Sequence, residues 1–162
     1  MSFGIFVVEA GHGKIAIAPL PGRYSPLAED IRQIADWRPA IVVSMTERHE
    51  LERTGAQNMA AMLGDYGIEW AHFAIPDYGV PDTEGKAAWS ALSERLHNIL
   101  GQEKRVLLHC AGGIGRSGAV ALKLLVEQGE TPETGLARLR AVRPGAVETA
   151  EQLAWASRSA GG

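Results

Sequence analysis

At 162 residues, with 46% apolar and 22% charged content, the chain is long enough for one packed domain, expected to span residues 1–162. Its formal charge of −3 offers no general attraction to nucleic acid or to an anionic membrane, so any affinity for anions must be local. A single cysteine excludes an intramolecular disulfide and a cysteine-rich metal site, and a lone thiol suits a reducing cytoplasm. Phe3–Val8 is apolar but too short for a signal-peptide core or a membrane span; with Lys14–Ala18 it reads as a hairpin around Gly11-His12-Gly13. Ser25-Pro26 starts a helix with Ile31 and Ile34 on its apolar stripe before Trp37. Ala40–Met45 reads as a buried strand. Two short helical segments follow, about Glu47–Arg53 and Gln57–Tyr66, the second stopped by Gly67. Ile68–Ile75 is the next strand, and Glu84–Leu100 the longest helix, stopped by Gly101. Then come strand Arg105–His109, helix Arg116–Gln128, helix Pro132–Val142 and a last helix from Ala150. Strands alternating with helices predict a single-domain α/β fold of three layers, αβα, with a central, mainly parallel sheet flanked by helices on both faces. Ligands bind beyond the carboxyl ends of such strands, and Cys110 and Asp77 both fall there.

Residues 104–118 carry the most chemistry: Lys-Arg-Val-Leu-Leu-His-Cys-Ala-Gly-Gly-Ile-Gly-Arg-Ser-Gly. The only thiol sits where a strand hands over to a helix, across a glycine-rich turn whose amides are free to point inward. A helix start carries unpaired N–H groups and positive dipole charge, which suits a dianionic phosphate and favours a thiolate. Arg116, six positions after Cys110, adds a planar fork that can hold two phosphate oxygens. A buried core cysteine is the plain alternative for Cys110, and the loop and arginine weigh against it. Cleaving a phosphate ester also needs an acid to protonate the leaving oxygen. Ile75-Pro76-Asp77-Tyr78-Gly79-Val80-Pro81-Asp82 offers two carboxyls on a loop between a strand and a helix. Asp82 with Thr83 has a ready duty as a helix cap; Asp77 has none beyond turn formation.

His-Cys-x-x-Gly-x-x-Arg-Ser closely resembles the signature loop of the cysteine-dependent protein tyrosine and dual-specificity phosphatases. The resemblance runs in pattern from Ala40 to Gln152 and is specific at three motifs. It implies Cys110 as nucleophile. It also implies a phosphate cradle of Ala111, Gly112, Gly113, Ile114, Gly115 and Arg116, with Ser117 stabilising the departing thiolate and His109 ordering the loop. Pro-Asp-Tyr-Gly-Val-Pro is similar to the acid loop of the kinase-associated and related phosphatases and points to Asp77, with Asp82 second. Arg143-Pro144-Gly145-Ala146-Val147 followed by Gln152 is similar to a segment whose glutamine holds the hydrolytic water. Thr149 and Gln152 also form a capping box, which needs no catalysis.

The expected activity is hydrolysis of phosphate monoesters through a phosphocysteine, on phosphotyrosine of a protein or peptide, either alone or together with phosphoserine and phosphothreonine. No cofactor or metal is expected, since His12, His72 and His97 lack ligand spacing. A binding module without turnover and a phosphatase of phosphoinositide or RNA remain as alternatives. The loop's variable positions Ala111, Gly113 and Ile114 carry no lysine for extra phosphates, which favours a singly phosphorylated substrate. Arsenate reductases need partner cysteines that are absent, and sulfurtransferase loops lack the arginine. No nucleic-acid or membrane partner is expected, and a monomer is compatible with the chain. Thr46-Glu47-Arg48-His49-Glu50 follows a strand end and reads as a solvated helix start rather than a cleft rim.

Overall fold

The computed structural model describes residues 1–158; the last four residues of the expected domain, 159–162, lie outside the described residues. Five strands form one sheet: β1 (Phe6–Ala10), β2 (Gly13–Ala18), β3 (Ile41–Ser44), β4 (Glu69–His72) and β5 (Arg105–His109), in the order β1-β2-β5-β3-β4. β1 pairs antiparallel with β2 through the Gly11-His12 turn, and every other pairing is parallel. The helices are α1 (Leu27–Trp37), α2 (Arg48–Arg53), α3 (Met59–Asp65), α4 (Thr83–Gly101), α5 (Gly115–Glu127), α6 (Pro132–Val142) and α7 (Ala150–Ser157), with a 3-10 turn at Ala56–Asn58. β5 matches its expected span; β4 is shorter than expected at both ends. Beyond its last ladder residue, Phe73 and Ile75 still donate to the Ser44 and Met45 carbonyls, so the chain continues extended without regular pairing.

Period-two alternation sorts the side chains into two cores. Ile15, Ile17, Ile41, Val43, Val106 and Leu108 face the side covered by α4, α5, α6 and α7. Ala16, Val42 and Leu107 face the other, under Ile31, Ile34, Leu51, Met59 and Leu63. The result is the expected three-layer arrangement. β5 lies between β2 and β3, buried on both faces and paired on both edges. The chain visits β2, crosses to β3 and β4, and only then returns to fill the middle. Strand order reverses at β5, and a crevice opens beyond its carboxyl end. Cys110 is the next residue. Among the described residues no helix is long and apolar enough to cross a membrane.

Candidate active site

The turn from β5 into α5 is held from outside by its carbonyls. The Cys110 carbonyl accepts from His109 Nδ1 at 3.2 Å. Those of Ala111 and Ile114 accept from the Leu20 and Val147 amides, both at 3.1 Å. Arg143 takes the remaining two: its Nη2 donates to the Gly112 carbonyl at 2.8 Å and its Nε to that of Gly113 at 3.0 Å. With five successive carbonyls turned outward, the amides of residues 111–117 find no acceptor among the described residues. No side chain caps the start of α5, so the helix dipole adds to the same positive rim. Gly113 has two reasons to be glycine. Its φ is +67°, and a Cβ there would lie 2.5 Å from the Ala18 carbonyl carbon.

Cys110 is buried under this turn, its Sγ 3.2 Å from Ser117 Oγ. His109 is fully buried, and desolvation pushes its pKa down to about 4. The ring is therefore neutral near pH 7 and has one N–H. Because Nδ1 faces a carbonyl, that hydrogen is on Nδ1, and Nε2 must accept. The Ser44 hydroxyl supplies the donor at 2.5 Å, and Trp70 Nε1 donates in turn to Ser44 Oγ at 2.8 Å. A relay thus runs from β4 through β3 to the first carbonyl of the loop.

Arg116 is the largest fully buried side chain among the described residues. Glu50 grips it with two bonds of 2.8 Å, Nη1 to Oε2 and Nη2 to Oε1. Nη1 also donates to the Ile75 carbonyl at 3.0 Å, and Nη2 lies 3.2 Å from Asp77 Oδ1. Among the described residues its Nε hydrogen has no acceptor. Burial opposes the arginine charge, but the Glu50 hydrogen bond and surrounding negative charge outweigh it and raise the pKa. Burial likewise works against the Glu50 carboxylate; Arg116 and the Glu47 amide, 2.8 Å away, hold its pKa below the ordinary value. Contrary to expectation, the segment 46–50 is not only a solvated helix start, because Glu50 reaches into the crevice. A carboxylate just beyond the end of β3, a strand adjacent to β5, was the available signal. Arg143 and Ser44 were missed as well.

Asp77 sits opposite on an exposed turn. Its side chain is 55% exposed, and besides Arg116 its one polar partner among the described residues is the Tyr78 amide, at 3.0 Å. Asp82 is occupied elsewhere: its Oδ1 accepts from the Gly85 amide at 2.8 Å as the cap of α4. Gln152 is buried, with both polar ends engaged. Its Oε1 accepts from the Glu148 and Thr149 amides, and its Nε2 donates to the Gly79 carbonyl at 3.2 Å. The capping box is present, and the same side chain ties α7 to the loop that carries Asp77. Glu47, His49 and Glu50 lie close together, but Glu50 is already committed to Arg116.

The model of a family described as "Polymorphic toxin system, DSP-PTPase phosphatase" matches residues 16–130. Cyclin-dependent kinase inhibitor 3 of Sus scrofa is 36% identical over 108 residues, covering 65% of this chain and 50% of that protein. The Mus musculus protein of the same name is 31% identical over 128 residues, 78% of this chain and 59% of that one. The chain thus spans between a half and three fifths of these relatives. Among solved structures, kinase associated phosphatase with serine substituted for its catalytic-site cysteine superposes with a TM-score of 0.82. The identity is 24%, and the match covers 96% of this chain and 93% of that one. Tk-PTP in its active form gives 0.70 at 29% identity, covering 88% of each chain.

Proposed function

The chain belongs to the DSP-PTPase phosphatases, cysteine-based hydrolases, and from that premise we propose that it removes phosphate from phosphotyrosine, and from phosphoserine or phosphothreonine, of proteins. The observation that carries this reading is the loop after β5, with five carbonyls turned outward, seven amides without an acceptor among the described residues and a thiol beneath them. Such a cradle binds the non-bridging oxygens and is set before the substrate arrives. The names of the matched relatives, a kinase inhibitor and a kinase-associated phosphatase, support a phosphoprotein substrate.

In the mechanism we propose, Cys110 Sγ attacks phosphorus in line, and the S–P bond forms as the P–O bond to the leaving group breaks. Asp77 gives its proton to that oxygen. The amides of residues 111–116 hold the three remaining oxygens. Arg116 offers its Nε hydrogen and, once Asp77 lets go, one hydrogen of Nη2, so a bidentate hold on phosphate stays available beside the Glu50 grip. Asp77, now ionised, takes a proton from water as that water attacks the phosphocysteine. Phosphate leaves, and the Ser117 hydroxyl stabilises the returning thiolate. His109 keeps the loop in shape, and Gln152 acts as a positioning residue for the acid loop through Gly79. No metal enters any step. The unpaired cysteine, with no second thiol in the chain to rescue it after oxidation, suits a reducing compartment such as the cytoplasm.

The test is Cys110→Ser. Turnover of an aryl phosphate should fall by about 10⁴-fold or more, while phosphopeptide affinity measured by calorimetry persists, because the amides and Arg116 remain. Turnover in this variant near that of the wild type would end the phosphocysteine reading. Loss of affinity together with turnover would end the preformed cradle.

A further inference from the structure

Beside the phosphate loop lies a groove of about 270 Å³ lined by Ala111 of that loop and by Asp77. Its lining includes two arginines from different parts of the chain, Arg23 and Arg53. Both are exposed, and neither has a carboxylate within 4 Å among the described residues. Arg23 lies over its neighbour Tyr24, 5.0 Å from the ring centroid. By contrast, exposed Arg95 is paired with Glu69, and Arg138 with Glu130. Glu50 and Asp77 also border the groove, but both face Arg116.

The fold brings these two arginines to one groove by separate devices. Arg53 follows Glu50 by three residues on α2, so the two share a helix face, and Glu50 marks that face as the one turned to the crevice. Arg23 is held by the turn after β2. The buried carboxylate of Asp30 accepts from the Gly22 amide at 2.8 Å and from the Ser25 hydroxyl at 2.5 Å, bracketing the arginine on both sides. The Leu20 amide anchors the same turn to the Ala111 carbonyl. A Cβ at Gly22 would lie 3.1 Å from the Thr54 carbonyl oxygen, so this turn packs directly against the end of α2.

We propose that Arg23 and Arg53 form a cationic subsite that selects phosphopeptides carrying an acidic side chain beside the phosphoresidue. The proposal rests on the phosphatase reading of the neighbouring loop and names the substrate class within it. Each guanidinium is a planar fork matched to a planar carboxylate, and the pair line the same groove as Ala111 of the phosphate cradle. The phosphate loop itself has no lysine to meet a second negative group, which leaves that task to the rim. The chain's net charge of −3 weighs against an extended anionic surface as the partner.

The experiment measures kcat/KM on phosphotyrosyl peptides that differ only in aspartate, alanine or lysine at the flanking positions, beside nitrophenyl phosphate and soluble inositol phosphates. Binding of the same peptides to the Cys110→Ser protein is measured in parallel. Wild type should prefer the aspartate peptide over the alanine one by about tenfold, less in high salt. In the Arg23→Ala/Arg53→Ala protein this preference should vanish while nitrophenyl phosphate turnover stays within about twofold. Arg53→Glu should shift the preference toward lysine. Arg48→Ala, on the same helix but lining a different groove, should change nothing. Equal rates on all three peptides, an equal effect of Arg48→Ala, a parallel loss on nitrophenyl phosphate, or a larger loss on soluble inositol phosphates would each overturn the subsite. Absence of nitrophenyl phosphate turnover in wild type would instead defeat the phosphatase reading, and the binding measurement would still decide the acidic preference.

Discussion

The phosphate loop and the acid loop meet over Arg116, yet they are built by opposite rules. In the first, every carbonyl from Cys110 to Ile114 has a named donor, two of them on one arginine, and a buried serine and histidine stand behind the cysteine. In the second, Asp77 and Tyr78 are both exposed, and Tyr78 adopts φ +60° on an open turn. Among the described residues the turn's ties are few: Gly79 N–H to Pro76, and Gly79 carbonyl to Gln152. The contrast assigns different physics to each half. One side must hold charge in a fixed cradle, where rigidity lowers the reorganisation needed at reaction. The other must approach, deliver a proton and withdraw, and a segment with few buried contacts opens at low cost.

The contrast can be broken most directly at Asp77. Asp77→Ala should slow hydrolysis of esters with poor leaving groups by about 10²–10⁴-fold and activated aryl esters much less, since those need little protonation. Phosphate affinity should hold or rise slightly, because the variant also frees an Nη2 hydrogen of Arg116. Equal slowing on both ester classes would make Asp77 a structural turn residue. On the rigid side, Arg116→Lys should cost about 10²–10³-fold in kcat/KM whatever the leaving group. Lysine keeps the charge but cannot grip Glu50 with two parallel bonds while facing phosphate. A near-normal kcat/KM in that variant would remove Arg116 from the cradle.

Legibility in the sequence divides along the same line. The phosphate loop is local, a strand, a glycine turn and a helix start read consecutively, so Cys110, the cradle and the β5 boundaries were all readable. The β1–β2 hairpin and the caps of α4 and α7 are equally local. What supports the loop is not. Glu50, Ser44 and Arg143 arrive from segments 30 to 66 residues away from the groups they hold, and nothing in their own neighbourhoods assigns them that task. Glu50 in its segment reads as one of several helix-start charges. Only the strand order, with β5 inserted beside β3, shows that this helix start opens onto the arginine. Arg23 and Arg53 were invisible for the same reason.

A smaller effect separates the buried support from the exposed loop by pH. An unfolded His109 takes up a proton below pH about 6.5, whereas in the folded protein burial delays this to about 4. Its contribution to stability is therefore fully present above pH 6.5 and is lost as the pH falls through about 4, by about 3 kcal/mol at most. Carboxylates such as Glu50 push in the same direction at the acid end, so the difference between wild type and His109→Asn isolates the histidine. Urea midpoints between pH 7 and pH 4.5 should fall steeply in wild type and more gently in the variant. Parallel slopes would mean that the ring titrates freely and is not part of the sealed relay through Ser44 and Trp70.

The smallest effect is the sharpest discriminator, because Asp82 lies five residues from Asp77 on the same connection. Its Oδ1 accepts the Gly85 amide at 2.8 Å, satisfying one of the unpaired donors that begin α4. Asp82→Ala should lower stability by about 0.5–2 kcal/mol, and Asp82→Asn, which keeps an acceptor oxygen, by much less. Neither change should alter the dependence of rate on the leaving group. The cap still bears on the acid loop indirectly, since the start of α4 fixes where Pro76–Pro81 must end. A frayed first turn would therefore loosen Asp77 without removing it, so any slowing of poor leaving groups should be small beside that of Asp77→Ala and be recovered in the asparagine variant. A leaving-group dependence that appears in Asp82→Ala, persists in Asp82→Asn and is missing from Asp77→Ala would move the proton donor from the exposed turn to the helix cap.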